Sequence, residues 1–305
     1  MRDIHRYPTG ARPLLIAETA RRRQLESRLV TILEQQRFAE VILPMIDLAE
    51  PYGGITGSDA ARQSYRFVDR EGDLIALRSD FTPMVARALA PSLDHSPLPL
   101  RVFYRGDVLR CSASRLGSNR EIFQIGAEII GDPSPAADVA VLRLVAAIMR
   151  EFGLRPLVVY TDASIAARFD AATRDALITK RRSSEIPPLA ARLIAGTATL
   201  DDVATLDLSA AERLRLIGNE IGGDDAFVLH LDDVEDAAPY YTGLRFRAYG
   251  SDLRTPIAEG GRYDSLYSRF GTAAAAVGFT FTIDDLEPRP DKLQRGIREL
   301  TQREA

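Results

Sequence analysis

Apolar positions along the chain recur with two periods. Residues 18–37 place Leu25, Leu29, Ile32 and Leu33 on one stripe among charged neighbours, the 3.6-residue period of an amphipathic helix. Val41, Ile42 and Leu43 then read as a short buried strand closed by Pro44. Beyond a glycine-rich loop, residues 65–68 and 74–77 read as two strands joined by a turn at 70–73, and Asp80 or Thr82 can cap a helix opening at Pro83. Residues 99–110 and 120–131 predict two long strands around a polar loop, followed by a helix with Pro135 near its start and Gly153 past its end. Residues 162–222, rich in Ala, Arg, Asp and Leu, predict an almost wholly helical inserted subdomain broken at Pro187-Pro188. Strands return at 226–231, 243–249, 253–259 and 276–283. Strands pairing as hairpins, with helices between the groups, predict an α+β fold on a mainly antiparallel sheet. The expected organisation is one core domain from 1–161 and 223–290, the helical insertion 162–222, and a charged tail 291–305.

Composition narrows the function classes. With 39 basic and 43 acidic residues the net charge is −4, so no overall field draws this chain onto nucleic acid or an anionic membrane. Its 305 residues include one cysteine, Cys111, and three scattered histidines, His5, His95 and His230, which match no standard zinc spacing; no metal site is expected. The lone thiol fits a reducing cytoplasm, and no stretch has the length and apolarity of a signal peptide or a membrane span. Signatures of α/β-hydrolases, zincins, P-loop NTPases and CxxC redox proteins are missing, and no cofactor is expected. The loop from Gly53 to Gly57 reads either as an anion nest or as a flexible connection.

The informative stretch is residues 103–131, FYRGDVLRCSASRLGSNREIFQIGAEIIG. Strand alternation puts Arg110, Gln124, Gly126 and Glu128 on one face. Buried together, such groups need either each other, as an ion-pair network, or a zwitterion that brings both charges.

The same stretch resembles motif 2 of the class II aminoacyl-tRNA synthetases, histidyl-tRNA synthetase in particular, with Arg110 on the motif arginine and Gly117, Arg120, Gln124, Gly126 and Glu128 in step without a gap. Further resemblances keep the family's order: FAEVILPMIDL to motif 1, LRSDFTPMVAR to an L-R-P-E-x-T segment, APYYTG and EGGRYDSL to the two histidine-specific motifs, and AAVGFTFTIDDL to motif 3. They span residues 10 to 286 or so and imply a class II synthetase-like sheet flanked by helices. By resemblance, Asp80 stands where a glutamate holds a substrate amino group, beside Thr82; Gln124 and Glu128 hold the amino acid, Tyr240 and Tyr241 flank an imidazole, and Arg110 faces a carboxylate.

Departures from the pattern point away from synthetase chemistry. Ser112 and Ser118 stand at a family glutamate and the second motif 2 arginine; the arginines of the histidine motif and of motif 3 fall on Asp236 and Asp285. Adenylation gathers negative charge on phosphate, where cations stabilise it. Replacing cations by anions implies that no catalytic residues remain, although Arg115 and Arg120 are nearby candidates for compensation in a divergent ligase. No anticodon-binding domain is expected, and no tRNA. This combination resembles the regulatory subunits of ATP phosphoribosyltransferase. That resemblance implies a short-form catalytic subunit as partner in a hetero-octamer, a homodimer through the motif 1 region, and L-histidine as effector, bound either in the synthetase-like pocket or at a subunit interface. An orphan amino-acid-binding paralogue is the remaining alternative.

Overall fold

An eight-stranded sheet organises the computed structural model, which describes residues 7–55, 64–111, 119–180, 186–233, 240–250 and 255–286. Its strands are β1 (Ala39–Glu40), β5 (Leu100–Leu109), β6 (Glu121–Ile130), β7 (Leu157–Asp162), β8 (Phe227–Leu229), β9 (Leu244–Tyr249), β10 (Ala258–Arg262) and β11 (Ala276–Thr282), in the order β1-β5-β6-β11-β10-β9-β7-β8. Only β1–β5 and β7–β8 pair in parallel, so the sheet is mainly antiparallel, as expected. A second sheet, β2 (Ile46–Leu48), β3 (Arg66–Val68) and β4 (Leu74–Leu77), runs in the order β2-β4-β3.

One face of the large sheet is dry. Helix α1 (Ile16–Gln35) buries Leu29 and Leu33 on it, and its neighbour Pro135–Glu151 buries Val141, Leu142, Val145 and Ile148 against Phe103, Ile125, Phe279 and Phe281. Chain order makes α2 the helix Thr82–Leu89, on the other face, so Pro135–Glu151 is α3. Between β7 and β8 the chain is helical: α4 (Ser164–Ala167), α5 (Ala171–Ile178), α6 (Pro188–Ile194), α7 (Leu200–Leu206) and α8 (Leu208–Ile221). Asp170, Thr199 and Asp207 cap α5, α7 and α8 through their side chains, which is why this segment breaks into short helices.

Several elements differ from the sequence expectations, β2 among them, which was not expected. Val41–Leu43 is not a buried strand: pairing stops at Glu40, the Val41 N–H makes a last bond to the Phe103 carbonyl, and Ile42 is 90% exposed beyond the sheet edge. Of the strand expected at 253–259, residues 253 and 254 lie outside the described residues; in the described part the strand is Ala258–Arg262, because Pro256 has no N–H for a ladder and the paired neighbours β9 and β11 approach closely over Gly260 and Gly261. Strand β7 had no counterpart in the sequence reading, yet it joins β9 to β8 in the interior of the sheet.

Candidate functional site

The other face of the sheet is built from alternate residues of the same strands. Pairing sets Gly106 opposite Gln124, Tyr104 opposite Gly126 and Val102 opposite Glu128, and on the next strand Thr282, Thr280 and Gly278 complete the three rows. Two glycines make room there. A Cβ on Gly278 would sit 1.4 Å from Oε2 of Glu128, and one on Gly126 would meet the Tyr104 hydroxyl at 2.3 Å. The carboxyl of Glu128 and the phenol of Tyr104 therefore lie flat across neighbouring strands.

Loops from three directions close over this floor. Arg78, at the end of β4, is 94% buried; it donates to the carbonyls of Leu43, Pro44 and Asp107 and stacks 4.0 Å over Phe81. That clamp fixes the turn carrying Asp80 into α2, where Asp80 accepts from the Thr82 N–H at 3.1 Å. The Thr82 hydroxyl donates to Glu128 at 3.1 Å, so one residue bridges two carboxyls. Tyr240, on the segment entering β9, donates to Asp80 at 2.9 Å. Tyr263, just past β10, donates a very short bond to Glu128, and Tyr104 adds another at 3.2 Å while sharing a hydrogen bond with Thr280.

Of the residues singled out from the sequence, Asp80, Thr82, Glu128 and Tyr240 are thus joined in one hydrogen-bonded network. Tyr241 lies against Tyr240 with ring centroids 5.0 Å apart and covers Gly261. Gln124 occupies the same sheet face two rows along from Glu128, half-buried. Arg110, just past β5, is near enough for its charge to favour the ionised form of Asp80. Ser112, Gly117, Ser118, Arg115 and Asp236, together with Thr56 and Gly57 of the glycine loop, lie outside the described residues. Asp285 falls in the 3-10 turn Ile283–Asp285 that follows β11.

Residues that the sequence reading left out complete the site: Tyr104, Tyr263, Tyr267 and Thr280. Strand alternation around Gly126 was the available signal for Tyr104. Tyr267 stacks on Tyr263 at 6.5 Å, with its hydroxyl unpaired among the described residues. Arg262 of the GGRYD stretch points to the dry face, where it pairs with Asp138 at 2.7 Å and with Asp264 at 3.0 Å. Arg213 of α8 reaches the same Asp138 at 2.6 Å. Arg262 is therefore an internal tie between sheet and helices and takes no part in this site.

Electrostatically the site is acidic and dry. Glu128 is 1% exposed, and burial lifts its carboxyl to about 8, against the three hydroxyl donors that favour ionisation and with the Asp80 charge adding to the rise. Burial also raises Asp80, opposed by Tyr240, the Thr82 N–H and Arg110. Burial first, then the carboxylates, holds Tyr104, Tyr240 and Tyr263 far above the ordinary phenol range. No arginine or lysine among the described residues forms a salt bridge with Glu128. Two carboxyls, a set of fixed hydroxyls and an adjacent guanidinium are equipped to hold a small zwitterion or cation with many hydrogen bonds.

The sheet order, the motif strands and this placement of side chains define a class II aminoacyl-tRNA synthetase-like domain of the histidyl type. The histidyl-tRNA synthetase family model matches residues 10–206 and 192–286. A Geobacter sulfurreducens ATP phosphoribosyltransferase regulatory subunit is 30% identical, covering 93% of this chain and 74% of its own length. A Synechococcus sp. protein of the same description is 32% identical, covering 97% and 79%. The solved fold of an ATP phosphoribosyltransferase regulatory subunit/histidyl-tRNA synthetase from Bacillus halodurans superposes with a TM-score of 0.81 at 24% identity, over 94% of this chain and 83% of that one. The chain belongs to the histidyl-tRNA synthetase-like family of ATP phosphoribosyltransferase regulatory subunits.

Proposed function

We propose that this chain is a non-catalytic regulatory subunit that senses L-histidine in the Asp80–Glu128 site, activates a short-form ATP phosphoribosyltransferase catalytic subunit, and transmits histidine feedback inhibition to it. The observation that carries this reading is the network joining Asp80, Thr82, Glu128 and Tyr240. It supplies acceptors for an ammonium and fixed groups for a ring, with Arg110, Gln124 and Tyr241 beside it for the carboxylate and the imidazole. Aminoacylation would need cations around the phosphates of ATP, and aspartates occupy two of those places, Asp236 and Asp285. The site therefore binds an amino acid without activating it and needs no cofactor, metal or tRNA.

A second copy of the chain is the proposed partner for the motif 1 region. Ile42, Ile46, Leu48, Phe67, Val68 and Leu74 are 90%, 49%, 41%, 45%, 66% and 48% exposed, all on the small sheet and the segment leading into it. Ile46, Leu48 and Phe67 share one face of the small sheet, and exposed apolar side chains gathered on one face suit an interface. In this reading the dimer sits within a hetero-octamer with catalytic chains, in the cytoplasm; no helix among the described residues is long and apolar enough to cross a membrane. Residues 1–161 and 223–290 act as one core unit, with 162–222 as a helical excursion from it.

The test is phosphoribosyltransferase activity of a short-form catalytic subunit from the same organism, with and without this chain and histidine. Activation by the chain, together with inhibition by histidine only when the chain is present, is expected. Histidine-dependent exchange of pyrophosphate into ATP by this chain alone would overturn the non-catalytic reading in favour of a ligase.

A further inference from the structure

Two carboxyls share the proposed histidine site, bridged by Thr82, and among the described residues no arginine or lysine forms a salt bridge with Glu128. Facing it are Tyr104 from β5, Asp80 and Thr82 from the entry to α2, Tyr263 after β10, Tyr267 from the following 3-10 turn Tyr267–Phe270, and Tyr241 ahead of β9. From β11 it meets the backbone at Gly278. Two cations border the pair: Arg110 acts on Asp80, and Arg245 of β9, which lies in the row of Glu128 beyond Gly278 and Gly261, is tied to Asp233 at 3.7 Å and acts on Tyr241. A buried carboxyl in such surroundings keeps its proton when the site is empty.

We propose that histidine binding here is coupled to release of a proton, the ligand's ammonium replacing the proton that the Asp80–Glu128 pair holds in the empty site. This rests on the histidine reading of the site and adds the charge balance of binding. The O–H bond of the Glu128 carboxyl breaks, its proton passes to solvent, and the carboxylate left behind is balanced by the incoming ammonium; Tyr263, Tyr104 and Thr82 already point their hydroxyls at it. With Glu128 near 8 in the empty protein, neutral pH is where the exchange is most complete. Linkage makes the effect reciprocal: histidine draws the proton off, and rising pH tightens histidine. The subunit would then report histidine and pH together.

Calorimetry of L-histidine binding to the full chain tests this directly, run at pH 7 in two buffers of contrasting ionisation enthalpy and again at pH 8. The expected result is a buffer-dependent heat corresponding to nearly one proton released per site at pH 7, and affinity about fivefold tighter at pH 8 than at pH 7. Glu128→Gln, which lacks the carboxylate that balances the ammonium, should bind histidine more weakly, and the heat of the binding that is left should not depend on buffer. Equal heats in both buffers with the same affinity at the two pH values would overturn proton coupling and leave the histidine site standing. Proton release undiminished in the Gln variant would overturn its assignment to Glu128. Absence of histidine binding at either pH would overturn the site reading and this inference together. If the variant does not fold, the wild-type heats and affinities alone still confirm or overturn the coupling.

Discussion

The two faces of the large sheet are made by the same strands and differ in every second residue. On β6, Phe123, Ile125, Ala127 and Ile129 face α1 and α3, whereas Gln124, Gly126 and Glu128 face the tyrosines. The helix-covered face is held by apolar area, each fully buried Leu- or Phe-sized side chain adding about 1.5–3 kcal/mol. Among the described residues its polar groups include the Arg262–Asp138–Arg213 cluster and Glu26 of α1, which pairs with Arg105 and Arg23. The other face buries polar groups: hydroxyls surround the Glu128 carboxyl, while the arginines buried there, Arg78 and Arg245, are tied to other partners. Stability belongs to the first face; the second gives up some stability to remain ready for a ligand.

Substitutions on adjacent residues of β11 test that contrast. Phe279, 2% exposed on the dry face, should cost about 3–5 kcal/mol when changed to Ala, seen as a lowered urea midpoint with an unchanged slope. Gly278→Ala, one residue away, should cost about 3 kcal/mol through overpacking, because its Cβ would overlap the Glu128 carboxyl and the Ala127 carbonyl. Equal tolerance of Ala at Gly278 and at an exposed position would break the account of the polar face.

Glu128→Gln should act in the opposite direction and depend on pH. The folded carboxyl titrates at about 8 against an ordinary 4.5, so its stability contribution is fully present below 4.5 and is lost as pH rises toward 8. The Gln variant, which cannot ionise, should therefore melt higher than wild type at pH 8, with the gain fading toward pH 5. A gain independent of pH would show that packing rather than charge is responsible. Smallest in stability is Tyr241→Phe, within about 0.5 kcal/mol of wild type by thermal melt. Its effect should fall on histidine affinity, about fivefold weaker by calorimetry for one lost hydrogen bond.

Much of this was legible in the sequence. The α1 stripe, the 100–109 and 121–130 hairpin, the Pro135 helix and the strands near 244 and 276 follow from periodicity and punctuation, which are local. The site residues Asp80, Thr82, Arg110, Gln124, Glu128, Tyr240 and Tyr241 came from motif resemblance together with alternation on the hairpin. Less legible were β7, whose LVVYTD run adjoins a helical stretch, and the strand through Gly260 and Gly261, where close neighbours override the poor strand propensity of glycine. Tyr104, Tyr263 and Tyr267 escaped because an isolated tyrosine in sequence carries no sign of what it faces.

The sequence by itself determined the long helices and the long hairpin, which side of that hairpin is polar, and which family the motifs resemble, since each depends on residues close together along the chain. Only the tertiary structure decided that Glu128 has hydroxyl donors and no salt-bridged arginine or lysine among the described residues, that Thr82 links it to Asp80, and that Arg262 turns to the opposite face. Those outcomes depend on groups up to 135 positions apart, as in the Tyr263–Glu128 bond, and on burial, which sets the charge of a carboxyl and exists only once the sheet is closed.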